Sequence, residues 1–414
     1  MKDTIIIIEA TTTGAGLEVV RAAHKMEIPT YFITSNIKKY HSYNYDNILG
    51  MVNTIEVENS GDFEEVMKII EEISLKNIVK GILSLTDSNI EVVAKLCESL
   101  GLTSISSQTA KLSRNKELTR EALLKTEIAM PWCEVVASYE EAVSMAEKHG
   151  YPVILKDSRG TGSMRVEVCI NESYSKEAFR KIKDQLPPTS KIIIEEYIVG
   201  TLVSVEALIL NSKVIPLGIT NRKLGPLPYF VEESYSFPVD MGGELESILF
   251  EANKKVLEGL GFTNGSAHVE FVISKGIPYL IEVNPRLGGG MIGPMINHSL
   301  GINVYEILIK MSMGHIHQNI NIKNIGGASA HFIFSAKAGT ISNIDLTLIN
   351  KIEGIRQILI KKEVGDYVEP PIDYRGDIGH VYTASSNATL AEQICLTAKN
   401  HMVIEFELEK EMRA

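Results

Sequence analysis

Short apolar strands alternate with amphipathic helices through the first hundred residues, and a chain patterned this way has few ways to satisfy its backbone. Thr4–Ala10 is an apolar run of strand length, and Thr11-Thr12-Thr13-Gly14-Ala15-Gly16 turns the chain. Leu17, Val20, Ala23 and Met26 then mark one face of a helix, and Thr30–Thr34 reads as a second strand. Ile78–Leu85 and Ile90–Leu100 repeat the strand–helix order. Such alternation predicts parallel strands joined by crossover helices, so a Rossmann-like parallel α/β unit is expected over residues 1–107.

The glycine turn in that unit is not a dinucleotide fingerprint. Val19 stands where the third glycine should be, and the second strand ends in Ile33-Thr34-Ser35, with no acid for a ribose hydroxyl. A tight strand-to-helix turn explains the small residues, and a dehydrogenase is disfavoured. Beyond residue 107 the pattern changes. Helices are expected at Lys116–Lys125 and Tyr139–His149, and strands at Val153–Lys156, Arg165–Cys169, Lys191–Glu196 and Val203–Leu210. The last hundred residues carry short strands, a turn at Arg375-Gly376-Asp377 and a helix around Thr389–Asn400.

A net charge of −11 disfavours a nucleic-acid or anionic-membrane surface, because phosphate contacts need clustered Lys and Arg. The four cysteines are far apart and form no CxxC, which suits free thiols in a reducing compartment better than disulfides or zinc. No stretch approaches the roughly 20 apolar residues of a membrane span. A soluble cytoplasmic protein is the expectation.

The most informative segment is Ala267-His268-Val269-Glu270-Phe271-Val272-Ile273, then Ser274-Lys275-Gly276, then Ile277 through Asn284-Pro285-Arg286. Side chains alternate along a strand, so Glu282 and Asn284 share a face. If Ser274-Lys275-Gly276 is a three-residue hairpin loop, Ile273 faces Ile277, His268 faces Glu282 and Glu270 is its diagonal neighbour on that same face. A two- or four-residue loop would put Glu270 on the opposite face. Two acids and an amide oxygen converging there would repel one another without a cation, and hard oxygen ligands suit magnesium held together with nucleotide phosphates. Arg286 and Gly288-Gly289-Gly290 beside the strand end add a cation and close backbone approach.

Upstream, Val153-Ile154-Leu155-Lys156 ends a strand in a lysine, and Asp157-Ser158-Arg159-Gly160-Thr161-Gly162-Ser163 follows. Exposed backbone N–H groups in such a loop can cover phosphates while the lysine adds a point charge. It is not a P-loop, since GxxxxGK[ST] is absent. Glu195-Glu196-Tyr197-Ile198 offers an acid and backbone groups for an adenine edge.

The order Asn115-Lys116, Pro152–Lys156, Glu195-Glu196-Tyr197-Ile198-Val199-Gly200, His268-Val269-Glu270 and Glu282-Val283-Asn284-Pro285-Arg286 resembles the ATP-grasp superfamily. Gly265–Glu270 and Asp373-Tyr374-Arg375-Gly376-Asp377 look most like the L-amino acid ligases, which make dipeptides. The resemblance implies an ATP-grasp fold of two α+β subdomains over 108–310, with a lid at about 130–200, and a C-terminal α+β subdomain over 311–414. It implies ATP and Mg2+ (or Mn2+) as cofactors and a carboxylate–amine ligation through an acyl-phosphate.

By the same resemblance Lys116 and Lys156 match the nucleotide lysines, and Gly160, Thr161, Gly162 and Ser163 the mobile loop over the phosphates. Glu195 or Glu196 matches the adenine contact, beside the Tyr197–Ile198 backbone, and Glu270, Glu282 and Asn284 match the metal ligands. Arg286 matches the arginine on the substrate carboxylate and developing acyl-phosphate, with His268, Gly288 and Gly289 near the substrate. Glu232 resembles an acid that receives a substrate ammonium, with a solvated loop acid as its alternative. Two positions depart from the family pattern. Leu202 stands where many members carry a ribose-binding glutamate, and Arg165 replaces a loop glycine, either adding a phosphate contact or signalling a changed loop. The other readings are ATP-grasp chemistry of purine or carboxylation type, on a nucleotide precursor or bicarbonate, and a nucleotide-binding regulator. The expected partners are small carboxylates and amines, with a homodimer as the default assembly.

Overall fold

The computed structural model describes residues 1–11, 16–41, 46–316 and 320–407. Gly14 and Ala15 of the first glycine turn lie outside the described residues. Lys2–Ile8, Thr30–Thr34, Asn53–Glu56 and Asn77–Leu83 form a four-stranded parallel sheet in which the first strand pairs with the second and the fourth. Ile5, Ile6, Ile7 and Ile8 are each 0% exposed, and the reason is the pleat. Ile5 and Ile7 pack with Leu17, Val20 and Phe32, whereas Ile6 and Ile8 pack with Val66, Ile70 and Leu96. A strand covered on both faces has to be apolar throughout. The cluster on the Ile5 side also contains Leu287, Met295, Val304 and Ile309. The first unit is therefore packed directly against the segment that follows the carboxylate hairpin.

Just past the first strand, Glu9 has φ +56° and is 4% exposed. Its carboxylate accepts hydrogen bonds from Thr34 and Ser35, from Ser60 Oγ (2.9 Å), from Tyr40 OH (2.6 Å) and from Lys39 Nζ (2.8 Å). Burial raises its pKa, but Lys39 and Tyr40 outweigh that and bring it from 4.5 to about 2. Because the folded value lies below the unfolded one, this contribution is complete above pH 4.5 and is lost as pH falls towards about 2. It amounts to about 3 kcal/mol at neutral pH. Glu9→Gln is expected to lower the unfolding free energy at pH 7 by about that much and to flatten its slope between pH 4.5 and about 2, measured by urea titration.

The centre of the molecule is an eight-stranded antiparallel sheet. From one edge it runs Ile277–Asn284, Gly265–Ser274, Thr201–Leu210, Lys213–Leu224, Glu232–Phe237, Gly327–Ile333, Gly379–Ser385 and Ile355–Ile360. Strands from beyond residue 310 thus continue the sheet that carries the hairpin. A second antiparallel sheet, in the order Cys133–Val136, Ile192–Glu196, Val153–Asp157 and Val166–Cys169, is backed by helices Tyr139–His149 and Glu172–Asp184 through Ala142, Ala146, Phe179 and Ile182. The chain crosses from this small sheet to the large one at Gly200. A Cβ there would lie 2.1 Å from the carbonyl oxygen of Ile273, so only glycine allows the close approach. A small three-stranded sheet (Tyr367–Val368, Gly339–Asp345, Val403–Glu407) completes the C-terminal part with helix Ala388–His401. Among the described residues no helix is long and apolar enough to cross a membrane.

Candidate active site

Between the two antiparallel sheets lies a cleft lined by Lys116, Lys156, Gly160–Ser163, Glu195–Gly200, Arg222, Glu232, Glu270 and Glu282, with apolar wall from Ile154, Leu202, Phe230, Val272 and Ile281. Lys116 is the first residue of helix Lys116–Leu123. Its Nζ donates to the carbonyl of Gly160 (2.8 Å) and to Glu282 Oε1 (3.0 Å), which ties the glycine loop to the hairpin. Lys156, 4% exposed, donates to Glu195. Burial pulls its pKa below the ordinary lysine value, and the Glu195 carboxylate opposes that. Glu195 Oε2 lies 3.6 Å from Arg120, whose Nη2 donates to the carbonyl of Ile281 (2.8 Å). The Glu195 carboxylate is thus engaged internally at 1% exposure, while Glu196 is less buried.

The glycine loop is held at its ends. Lys116 N donates to Ser158 O (3.0 Å), and Ser158 N to Lys191 O (2.9 Å). Gly162, Ser163 and Arg165 have φ of +60°, +58° and +56°. Arg165 therefore adopts the left-handed backbone that a glycine favours. Its guanidinium pairs with Asp157 (2.7 Å), so the side chain is engaged within the loop itself.

The hairpin departs from the expected register. Ser274 faces Ile277, so the loop is the two residues Lys275 and Gly276, with φ of +51° and +80° as a primed turn requires. A uniform two-residue register would have sent Glu270 to the wrong face. An irregularity between Glu270 and Phe271 takes up one residue of the partner strand, and beyond it Glu270 faces Glu282, Val269 faces Val283 and His268 faces Asn284. The two acids therefore share a face and stand directly opposite each other, whereas His268 does not face Glu282. The bulge is a local backbone choice that side-chain spacing does not encode.

Each acid of the pair has a cation. Lys116 takes Glu282, and Arg222 takes Glu270 while also pairing with Glu232. Burial would raise the Glu270 pKa, but Arg222 and His268 hold its carboxyl well below the usual range. His268 Nδ1 sits 2.8 Å from Glu206 Oε1, and its Nε2 lies 3.2 Å from Glu270 Oε1. Burial would lower the imidazole pKa, but the Glu206 carboxylate raises it, favouring the charged ring. Glu206 is itself fully buried and accepts from Ser204 (2.8 Å) and Thr220 (3.0 Å).

Asn284 is 3% exposed, and its Oδ1 has no hydrogen-bond partner among the described residues. A buried acceptor left unpaired beside two facing carboxylates fits a hard cation. Among the described residues no three His, Cys, Asp or Glu side chains cluster for a metal, so such an ion would be held by two acids, one amide oxygen and ligand oxygens.

Of the other expected residues, Arg286, Gly288 and Gly289 fall outside this cleft, whereas Glu232 lines it but is already paired. Arg286 makes a two-pronged pair with Asp87, through Nε (2.8 Å) and Nη2, and its Nη1 donates to the carbonyl of Leu287 (2.9 Å). Arg286 lines a separate small pocket with Ser84, Ser104 and Ser266. Gly288 is crowded, since a Cβ would meet His268 Nδ1 at 2.9 Å, while Gly289 is open. Glu232, expected to receive an ammonium, already accepts from Arg222 and from Tyr235 OH. Asp87, Arg120, Glu206, Arg222 and Tyr235 are the site-building residues that sequence reasoning missed. Glu206 alone left a signal, an acid inside the apolar run Val203–Leu210.

Comparisons with known proteins place the chain among ligases of related sequence and fold. Residues 149–295 match the model of the ATP-grasp domain, and residues 331–407 that of the L-amino acid ligase C-terminal domain 2. The alanine–anticapsin ligase of Bacillus subtilis is 26% identical over 267 residues, which is 58% of this chain and 56% of that protein. The match thus spans little more than half the length of that relative. The crystal structure of an L-amino acid ligase from Bacillus licheniformis superposes with a TM-score of 0.82 at 21% identity, covering 98% of this chain and 99% of that one. Phosphoribosylglycinamide synthetase from Anaerococcus prevotii gives a TM-score of 0.73 at 19% identity, covering 98% and 100%.

Proposed function

We propose that this chain, which belongs to the ATP-grasp family, carries an L-amino acid ligase C-terminal domain and is an ADP-forming carbon–nitrogen ligase, joins two amino acids into a dipeptide through an acyl-phosphate. The observation that carries the reading is the convergence of Lys116, Lys156, the Gly160–Ser163 loop and the facing Glu270 and Glu282 on one cleft. Lysine charge and backbone N–H groups suit a nucleotide's phosphates, and the carboxylate pair with the unpaired Asn284 oxygen suits its metal. A divalent ion such as magnesium, held by Glu270, Glu282 and Asn284, would supply charge neutralisation for the transferring phosphoryl group.

The residues divide the remaining work. Lys156, fixed by Glu195, offers a positioned charge from the small sheet. Lys116 stands between the glycine loop and the hairpin, where it spreads charge during transfer. A carboxylate oxygen attacks the terminal phosphorus, the bond to the ADP oxygen breaks, and an acyl-phosphate results. An amine nitrogen then bonds to the acyl carbon, phosphate leaves with the C–O electron pair, and the nitrogen loses a proton to give the amide. The glycine loop covers the phosphates and keeps water from the acyl-phosphate.

The test is phosphate release from ATP and magnesium over pairs of amino acids, with products identified by mass. Release that depends on two amino acids and yields their dipeptide is the expected result. Release with no amide across the screen would move the acceptor outside the amino acids, and stimulation by bicarbonate or a ribonucleotide amine instead would overturn the dipeptide reading.

A further inference from the structure

We infer that Arg222 competes with the divalent metal for Glu270, and so sets the metal affinity of the site. The inference rests on Glu270 and Glu282 being the metal acids. Arg222 comes from strand Lys213–Leu224, its side chain is 11% exposed, and it reaches Glu232 with one nitrogen and Glu270 with the other. Its guanidinium carbon lies 5.9 Å from the centre of the Tyr235 ring, and Nη1 is 3.1 Å from His268 Nε2. One guanidinium is thus shared between two carboxylates, and the Glu270 oxygen it uses, Oε1, is the one His268 also approaches.

A cation bound to that carboxylate meets the Arg222 guanidinium already paired with it. The two acids of the facing pair differ in how they can be released. Lys116 on Glu282 is a single flexible ammonium that also contacts the glycine loop, so phosphates arriving under that loop draw it off the acid. Arg222 has no such route. It is anchored on Glu232 and over Tyr235, so it stays beside the metal and opposes it by charge while yielding Glu270. Glu232 is what makes the exchange feasible, because the guanidinium keeps a full carboxylate partner when Glu270 turns to the ion. On this view Glu232, which lines the cleft, serves as the second anchor of Arg222.

The experiment measures Mn2+ binding to the purified full chain by the loss of free-ion paramagnetic resonance, with and without ADP, so that no turnover is needed. Arg222→Met keeps the stem and removes the charge, and is expected to bind Mn2+ roughly tenfold more tightly than the parent. Arg222→Lys should fall between them. Glu232→Gln removes the second anchor, leaves Arg222 wholly on Glu270, and should weaken Mn2+ binding several-fold. That second variant keeps the test usable if Arg222→Met does not fold. In a Glu270→Gln background the Arg222→Met change should alter Mn2+ affinity much less than it does in the parent, leaving only the charge effect. A purely structural arginine predicts lower thermal stability with equal or weaker Mn2+ binding in Arg222→Met, and that result overturns the inference. Parent-like Mn2+ affinity in Glu270→Gln alone would instead remove the metal reading beneath it.

Discussion

Glu270→Gln is expected to reduce ATP-dependent phosphate release and amide formation by about a thousandfold or more while the protein remains folded. Glu270 faces Glu282 across the hairpin, and directly opposed strand residues have Cβ atoms about 4.5–5.5 Å apart, close enough for their carboxylates to share an ion. Glutamine keeps the shape and removes the charge. The change therefore isolates the electrostatic role of the pair from its packing. Arg222 retains Glu232 in the variant, so no buried guanidinium is left without a partner, and the thermal midpoint should move by only a few degrees. Glu282→Gln should lose activity to a similar extent but also weaken nucleotide binding, because Lys116 leans on that acid as well as on the Gly160 carbonyl. Both variants are assayed by phosphate release and by nucleotide titration. Activity within tenfold of the parent in Glu270→Gln would mean that the facing acids do not hold the metal of the reaction.

What the sequence made legible follows the range of the forces involved. The run Ile5–Ile8 is apolar at every position because both faces of its sheet are covered, and a four-residue window contains all the information needed to see it. Helices Ile90–Leu100 and Tyr139–His149 could be delimited from their apolar periodicity, with Gly101 in the left-handed region closing the first and Ser138 capping the second. The hairpin was harder. Alternation placed Glu282 and Asn284 on one face, but the face of Glu270 depends on a turn and a bulge whose two displacements compensate. The correct face was reached through an incorrect loop length.

Residues that act across the fold were the least legible. Arg222 is one arginine in the strand Lys213–Leu224, and nothing local marks it as the partner of Glu232 ten residues later and of Glu270 on a strand beyond the neighbouring one. Glu195 and Glu196 are adjacent and chemically alike. Strand alternation says only that one points in and the other out, and it is the buried Lys156 and Arg120 that decide Glu195 is the inner one. The position of Arg165 shows the opposite case. The resemblance called for glycine there, and the backbone keeps the glycine-like φ of +56° even though the side chain has changed. At this position the left-handed backbone and the Asp157 pair occur together.

The second large effect is expected at Arg286, which is half-buried at the junction of the first unit and the hairpin and held by an acid from the loop after strand Asn77–Leu83. Asp87 takes Arg286 through two nitrogens and lies 3.5 Å from Arg114, and although burial works against it, these two arginines hold its carboxyl below the usual range. Arg286 does not line the nucleotide cleft but stands at the strand end next to Asn284, on the side of the small pocket with Ser84 and Ser266. By the family resemblance alone its guanidinium is expected to steady the substrate carboxylate and the acyl-phosphate, with Asp87 fixing its orientation. Arg286→Ala should then abolish amide formation, by about a hundredfold to ten-thousandfold, with nucleotide affinity changed by less than about fivefold. Arg286→Lys should rescue little, since an ammonium cannot reproduce a two-pronged pair. Asp87→Asn should lower kcat by about tenfold to a hundredfold, with the KM for ATP close to the parent's, because it loosens the arginine without removing it. Calorimetric titration with a non-hydrolysable ATP analogue separates the two roles. Equal loss of nucleotide binding and amide formation in Arg286→Ala would make this residue part of the nucleotide site, and a parent-like kcat in Asp87→Asn would reduce the Asp87–Arg286 pair to a fastener between the first unit and the hairpin.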